Sequence, residues 1–424
     1  MMPSDATTGK PSLMSVDDAL AAILAGLQPT AAVTRPIATA LGYRLAVDLT
    51  ACLTLPPQAV SAMDGYAVRA ADVGTLPVEL TRIGESAAGH PWTGTVGAGA
   101  AVRVFTGAAI PDGADTIAIQ EDVDPAPETD GVTITVRAVE PPGRYIRPAG
   151  LDVTAGTVIL EAGQLMSARA IGLAVAAGLT EANVHRKPRI GILSTGDELV
   201  PPGHRPGPGQ IISSNASFLC AFVESCGAIP VDLGIAPDRP GALLDAIRRA
   251  PGLDQPPLDF IVTSGGASVG THDHVIDDIT GEAQHGASGV NFWKIAMRPG
   301  KPLISGYIDK IPLIGLPGNP VSTAVCAMVF LRPALAHLAG GSDSSPCFAM
   351  PLGSDLDEND QRQDYIRAVI IEKQGLHTVQ PAPRQDSSMM SVLTGATALI
   401  VRPPFDPARK AGAMVRVMPI PPLT

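Results

Sequence analysis

Residues 264–273 read Ser-Gly-Gly-Ala-Ser-Val-Gly-Thr-His-Asp and carry the elements of phosphate chemistry. Glycines 265, 266 and 270 let backbone N–H groups converge on an anion, because no Cβ blocks the approach. Asp273 cannot bind an anion, but a loop carboxylate can hold a divalent cation that does. Ser-Gly-Gly alone is equally the mark of a tight strand-to-helix turn; the longer pattern favours the anion cradle. His272 and His274 flank Asp273, and neighbouring i, i+2 histidines in a loop are more often bystanders than metal ligands.

Other stretches concentrate polar chemistry in the same way. Residues 194–199, Ser-Thr-Gly-Asp-Glu-Leu, and 316–322, Leu-Pro-Gly-Asn-Pro-Val-Ser, each follow an apolar run, as does the loop at 264. If these runs are strands of one parallel sheet, the three loops share an edge, and such edges bind ligands. Lys294, Arg298 and Lys301 fall within eight residues with a Pro-Gly turn among them, which suits an oxyanion, although a solvated charged face has the same appearance. Earlier in the chain, a Pro-Pro lead at 56–57 precedes Ser61, Asp64, Gly65 and Tyr66. Asp-Gly there is a turn signal, but the clustered polar groups beside a rigid lead favour a site. Thr106-Gly107 and Gln120-Glu121 end two further β-like runs.

The elements that position these groups follow from periodicity. Ser15 caps a helix with Asp17 and Asp18 in its first turn and Val16, Leu20, Leu24 and Leu27 on one face. Leu45 to Leu49 reads as a short strand. From 67 to 140 the text alternates or runs β-branched between Gly, Pro and Asp turns, which predicts a small inserted β domain. A helix from Ser167 to Ala177 closes on Gly178. Polar residues 185–188 mark a boundary, and beyond it strand and helix alternate, with Asn215 and Asp238 as helix caps. The tail after 346 alternates again as a small β domain. The expected fold is multidomain α/β plus β. Residues 13–57 with 141–185 form an elongated stem, 58–140 the inserted β domain, 186–341 a three-layer α/β domain with a mostly parallel sheet, and 346–424 a barrel-like β domain.

Composition excludes several classes. The 424 residues carry a net charge of −11, which argues against general nucleic-acid affinity. Five scattered cysteines without a Cys-x-x-Cys pair fit a reducing compartment, not a zinc or disulfide framework. The first 12 residues have no apolar core of a signal peptide, and no run approaches about 20 apolar residues, so the expectation is a soluble cytoplasmic protein.

Taken together, SAMDGYA at 61–67, TG at 106–107, GLDV at 150–153, STGDEL at 194–199, SGGASVGTHD at 264–273, FWKIAMRPGKP at 292–302 and LPGNPVS at 316–322 are very specific. The chain resembles the molybdopterin molybdenumtransferases, the bacterial MoeA type related to the gephyrin E domain, over nearly its whole length. The resemblance implies Mg²⁺-dependent insertion of molybdate into adenylylated molybdopterin, with release of AMP and molybdenum cofactor. Other enzymes on the same central fold, such as a molybdopterin adenylyltransferase, share an SGG-type loop but not the remaining motifs, and a scaffold role is the third reading. Carried over by motif, Asp64, Thr106, Asp152, Glu198 and Asp273 are catalytic, with Glu198 and Asp273 on the metal. Substrate contacts fall to Thr195, Gly196, Ser264, Gly265, Gly266, Ser268 and Gly270, and to Pro317, Gly318, Asn319, Pro320 and Ser322. Lys294, Arg298 and Lys301 match the family's basic pocket, Arg298 standing where lysine is more usual; Arg367 and Ser387 match in the last domain. A homodimer with an active site shared between subunits is implied, as are a molybdopterin adenylyltransferase and molybdoenzyme apoproteins as partners; neither nucleic acid nor membrane is.

Overall fold

A computed structural model describes residues 13–249, 257–266, 289–343, 347–373 and 375–420. The chain divides into two compact units. The smaller comprises Thr34–Leu41 and Val47–Asn183; the larger comprises the residues up to Val33, Gly42–Ala46, and those from Val184 onward.

In the smaller unit, β-branched runs pair into a five-stranded sheet ordered Thr116–Ile119, Gly65–Val68, Ala100–Val104, Val78–Ser86, Thr133–Val136. Alternation along each strand sends side chains to opposite faces. Tyr66, Val68, Ala101 and Ala118 join one apolar cluster, while Ala67, Val102, Val104 and Ile117 join another, so both faces are covered. The 65–68 strand begins within the polar motif at 61–67, runs one residue beyond it and is buried throughout. The helix Ala168–Ala176 forms as its sequence predicts: the Ser167 hydroxyl accepts from the Ala170 N–H at 3.2 Å, and Gly178 takes φ +85° beyond the last turn. The expected strand at 45–49 is shorter and displaced. Leu49–Thr50 pairs with Val158–Leu160, and the Asp48 carboxylate beside it accepts from the Ala162 N–H at 2.8 Å.

In the larger unit, six strands run in the order Ile229–Ala236, Arg189–Thr195, Phe260–Ser264, Ile311–Leu316, Pro302–Ile308, Gly289–Lys294. The first four are mutually parallel and the last two antiparallel. Successive residues again divide between two cores. Ile190, Ile192, Phe260, Val262, Ile314 and Leu316 face helices Val16–Ala25, Ser214–Ser225 and Pro320–Leu338, while Leu193, Ile261 and Leu313 face helix Ala242–Arg249. Helices on both faces are what near-continuous apolar strands require.

The 320–338 helix corrects one sequence expectation. It has 19 residues with mean hydropathy 1.5, long and apolar enough to cross a membrane, but 83% of it is buried inside the unit. Its apolar character is that of a core helix. The tail strands Phe348–Pro351, Gln363–Lys373, Leu376–Pro381, Ala398–Arg402 and Met414–Pro419 form a curled sheet, and a bridge between Leu352 and Val379 links its two ends. Tyr365, Leu393, Leu399 and Val401 of this tail enter the same core as the 320–338 helix. The sheet also recruits Met297–Arg298 as an edge strand, pairing Arg298 with Asp364.

Candidate active site

The parallel strands deliver their polar loops to one edge, as the sequence predicts. Gly265 follows the 260–264 strand at φ +96°, and a Cβ there would lie 2.5 Å from the Thr195 carbonyl oxygen, so the two turns approach each other only with glycine at this position. Gly196 likewise leaves room for the Glu198 carboxylate, whose Oε2 would be 2.5 Å from an added Cβ. The third turn opens the long helix with Pro320 in its first turn. Asp238 follows the fourth parallel strand. These turns line a crevice of 1190 Å³ whose remaining lining comes from 211–215, 297–302, Arg362 and 385–388.

The first turn of the 320–338 helix faces this crevice through Pro320 and Ser322. Helix N-termini attract anions through unpaired N–H groups and the aligned peptide dipoles. Here the loop at 385–388 takes part: Val321 N–H donates to the Ser387 carbonyl at 3.1 Å, and Asn319 Nδ2 to the Ser387 hydroxyl at 3.2 Å. Arg367 holds that loop from behind. It is 1% exposed, its side chain donates to the Asp386 carbonyl at 2.8 Å and to Gln385 Oε1 at 3.2 Å, and burial pulls its guanidinium below the ordinary arginine range. It is absent from the crevice lining, so its part is to position Ser387.

The cationic stretch divides its work. Arg298 reaches Asp360 at 3.5 Å and Asn359 at 3.4 Å, and bonds Asp364, which raises its pKa further. Asp360 is itself held at about 2, chiefly by its hydrogen bond from Arg362. Arg298 therefore brings a guanidinium already balanced by carboxylates. Among the described residues Lys301 has no carboxylate partner, and it lines the crevice. Lys294 is not among the lining residues; its carbonyl accepts from the Met14 N–H at 3.0 Å.

In the smaller unit the structure brings Asp64 and Thr106 together. Asp64 Oδ1 accepts from the Thr106 N–H at 2.7 Å and from its hydroxyl at 2.9 Å. The N–H bond first, then the hydroxyl, hold this carboxyl below the usual carboxylate range, and the Arg103 charge adds to them. Arg103 is buried, packs 5.1 Å from the Tyr66 ring centroid and 4.9 Å from that of Phe105, and bonds the Gly65 carbonyl at 3.2 Å and Gln120. Asp152 is exposed in the same unit, its N–H bonded to the Leu55 carbonyl at 3.0 Å. Ser268, Gly270 and Asp273, with His272 and His274, lie outside the described residues.

Two residues read as helix caps turn out to belong to the crevice. Asp238 precedes its helix by four residues; its N–H donates to Asp197 Oδ1 at 3.0 Å, and Asp197 N–H returns a bond to Asp238 Oδ2 at 3.3 Å. Asn215 lies inside the helix that begins at Ser214, and its Nδ2 donates to the Ser264 hydroxyl and to the Gly318 carbonyl, both at 2.8 Å. The strand-end rule would have found Asp238, since it leaves a parallel strand at the same edge as Glu198 and Ser264.

Three family models cover most of the chain: the MoeA N-terminal region, domains I and II, at 14–178; a probable molybdopterin binding domain at 191–337; and the MoeA C-terminal region, domain IV, at 349–420. Fold and crevice thus define a MoeA-like multidomain α/β protein. A molybdopterin molybdenumtransferase 2 of Mycobacterium tuberculosis is 38% identical over 355 residues, 81% of this chain and 84% of its own length. The Haemophilus influenzae molybdopterin molybdenumtransferase is 35% identical over 359 residues, 84% and 86% of the two lengths. The crystal structure of the molybdopterin biosynthesis moeA protein of Pyrococcus horikoshii OT3 matches with a TM-score of 0.80 at 26% identity, covering 96% of this chain and 100% of that one. The chain belongs to the molybdopterin molybdenumtransferase family.

Proposed function

We propose that this chain is a transferase of molybdenum cofactor biosynthesis that inserts molybdate into adenylylated molybdopterin and releases AMP. The observation that carries this reading is one crevice with carboxylates at the strand ends and cations from 297–302 and Arg362. Phosphoanhydride cleavage needs charge neutralised at the phosphates and an oriented nucleophile. The Gly265 and Gly266 turn and the 320–338 helix N-terminus receive phosphate oxygens. Lys301, with Arg298 beside it, holds the compact dianion molybdate so that an oxygen faces the scissile bond.

Glu198 and Asp238 are hard oxygen donors at the lining of this crevice. Mg²⁺ is commonly held by one or two carboxylates together with substrate phosphates, so the pair fits it. Bound there, Mg²⁺ would offset charge on the phosphate oxygens.

Four parts divided as the sequence predicts, in a cytoplasmic homodimer whose active sites draw on both subunits, complete the reading. The smaller unit exposes Leu53, Leu151, Val158, Leu165 and Val175, each about half accessible, which suits burial against a second copy. An adenylyltransferase would supply the substrate, and apo-molybdoenzymes would receive the product. Incubation of the purified chain with adenylylated molybdopterin, Mg²⁺ and molybdate tests the function. AMP release that depends on molybdate is expected; release at the same rate without molybdate, or none at all, overturns it.

A further inference from the structure

The Asn215 amide is oriented without ambiguity. Its terminal atom lies 2.8 Å from the Gly318 carbonyl oxygen, which can only accept, so that atom is the nitrogen. The same nitrogen reaches the Ser264 hydroxyl oxygen at 2.8 Å. Both Nδ2 hydrogens are then committed, and Ser264 is the acceptor in its bond with Asn215. A hydroxyl that accepts still has one proton to donate.

Ser264 is 2% exposed, and among the described residues no acceptor for that proton is present. Thr195 is 5% exposed on the same lining, and its hydroxyl has no partner either. A buried donor left unpaired costs stability, so such groups are retained where a ligand completes them.

Resting on the function proposed above, we propose that Asn215 is a positioning residue that fixes the Ser264 hydroxyl as a donor to a phosphate oxygen of the substrate, while tying the 264–266 turn to Gly318. An asparagine at this position thus selects an acceptor-only ligand group, an ionised phosphate, over a hydroxyl or amine that would need Ser264 to accept.

The polarity is tested first without any ligand, by neutron diffraction from crystals of the full chain grown in D₂O. The Asn215 deuterons are expected on Ser264 Oγ and Gly318 O, with the Ser264 deuteron directed into the crevice. A Ser264 deuteron pointing at Asn215 overturns the proposal. The consequence is tested by binding of adenylylated molybdopterin. Ser264→Ala and Asn215→Leu are each expected to weaken it about 10-fold to 100-fold, the range of one hydrogen bond to a charged group. In the Ser264→Ala background, Asn215→Leu is expected to cost less than one-fifth of its factor alone. Equal factors in both backgrounds mean that Asn215 does not act through Ser264. If Asn215→Leu melts early, the smaller, neutral Asn215→Ala takes its place in the same cycle. Wild-type protein that fails to bind adenylylated molybdopterin counts against the function, and the neutron result then decides the polarity alone.

Discussion

At the scale of single residues, Asp64 and Lys301 are set apart by what surrounds them. Asp64 is exposed but held ionised by two donors from one residue, Thr106. Its folded pKa is depressed, so the contact is fully formed above the ordinary carboxylate pKa and is lost only as pH falls through the lowered value. Thr106→Val removes the hydroxyl and keeps the N–H. The acid limb of the pH–rate profile is therefore expected to move to higher pH, with the melting temperature within about 2 °C of wild type. An unmoved acid limb would remove the Asp64 carboxylate from the rate-determining protonation. Lys301→Ala should raise the molybdate concentration for half-maximal AMP release about 10-fold or more, and change the affinity for adenylylated molybdopterin less than about threefold. The reverse pattern would assign Lys301 to the nucleotide. Asp64 and Thr106 were each legible from sequence as polar residues of short motifs, but their pairing was not, because 42 positions separate them. Asn215 and Asp238 were not legible as part of the site. Asx residues before helices read as caps, and only the tertiary fold reveals that their side chains reach across to other loops.

At the scale of elements, the strands were the most legible feature. Period-2 alternation and β-branched runs located the sheet of the smaller unit and the four parallel strands of the larger, and hence the edge that carries the site. What escaped was the close approach of backbones. Gly65 reads as half of an Asp-Gly turn, yet a Cβ there would lie 2.1 Å from the Ala118 carbonyl oxygen and 2.9 Å from Ile119 Cα. Gly65→Ala must therefore push the 65–68 and 116–119 strands apart beside Asp64. A loss of about 1–3 kcal/mol in urea unfolding is expected, the range for forced backbone shifts in packed interiors. A loss below about 0.5 kcal/mol would mean that the sheet yields locally. The cationic stretch was legible as charge but not as geometry. Charge spacing showed three cations together, but Lys294 lies off the crevice and Arg298 is balanced by Asp360 and Asp364, residues more than 60 positions away.

At the scale of the whole molecule, the tail could be recognised as β but not as part of the central core, because Tyr365, Leu393, Leu399 and Val401 join that core only through long-range packing. The proposed dimer makes its own demand. Asp64→Ala and Asp273→Ala subunits should each be inactive alone, and verified heterodimers formed after gentle dissociation should regain up to about half of the wild-type specific activity, since one of two sites would be intact. Heterodimers as inactive as their parents would place each site within one chain.

The pairing of Met297–Arg298 with the tail sheet has a consequence for how such a site changes over generations. Arg298 takes its place from Asp364 through a short parallel register, and Asp364 sits in a strand whose other neighbours are tail residues. Variation confined to the tail can thus retune the charge and reach of the crevice edge at 297–302, while the turns at 195–196 and 264–266, fixed by glycines in the parallel sheet, stay as they are. A lineage has there an adjustable edge of the crevice that leaves the glycine turns of the parallel sheet untouched.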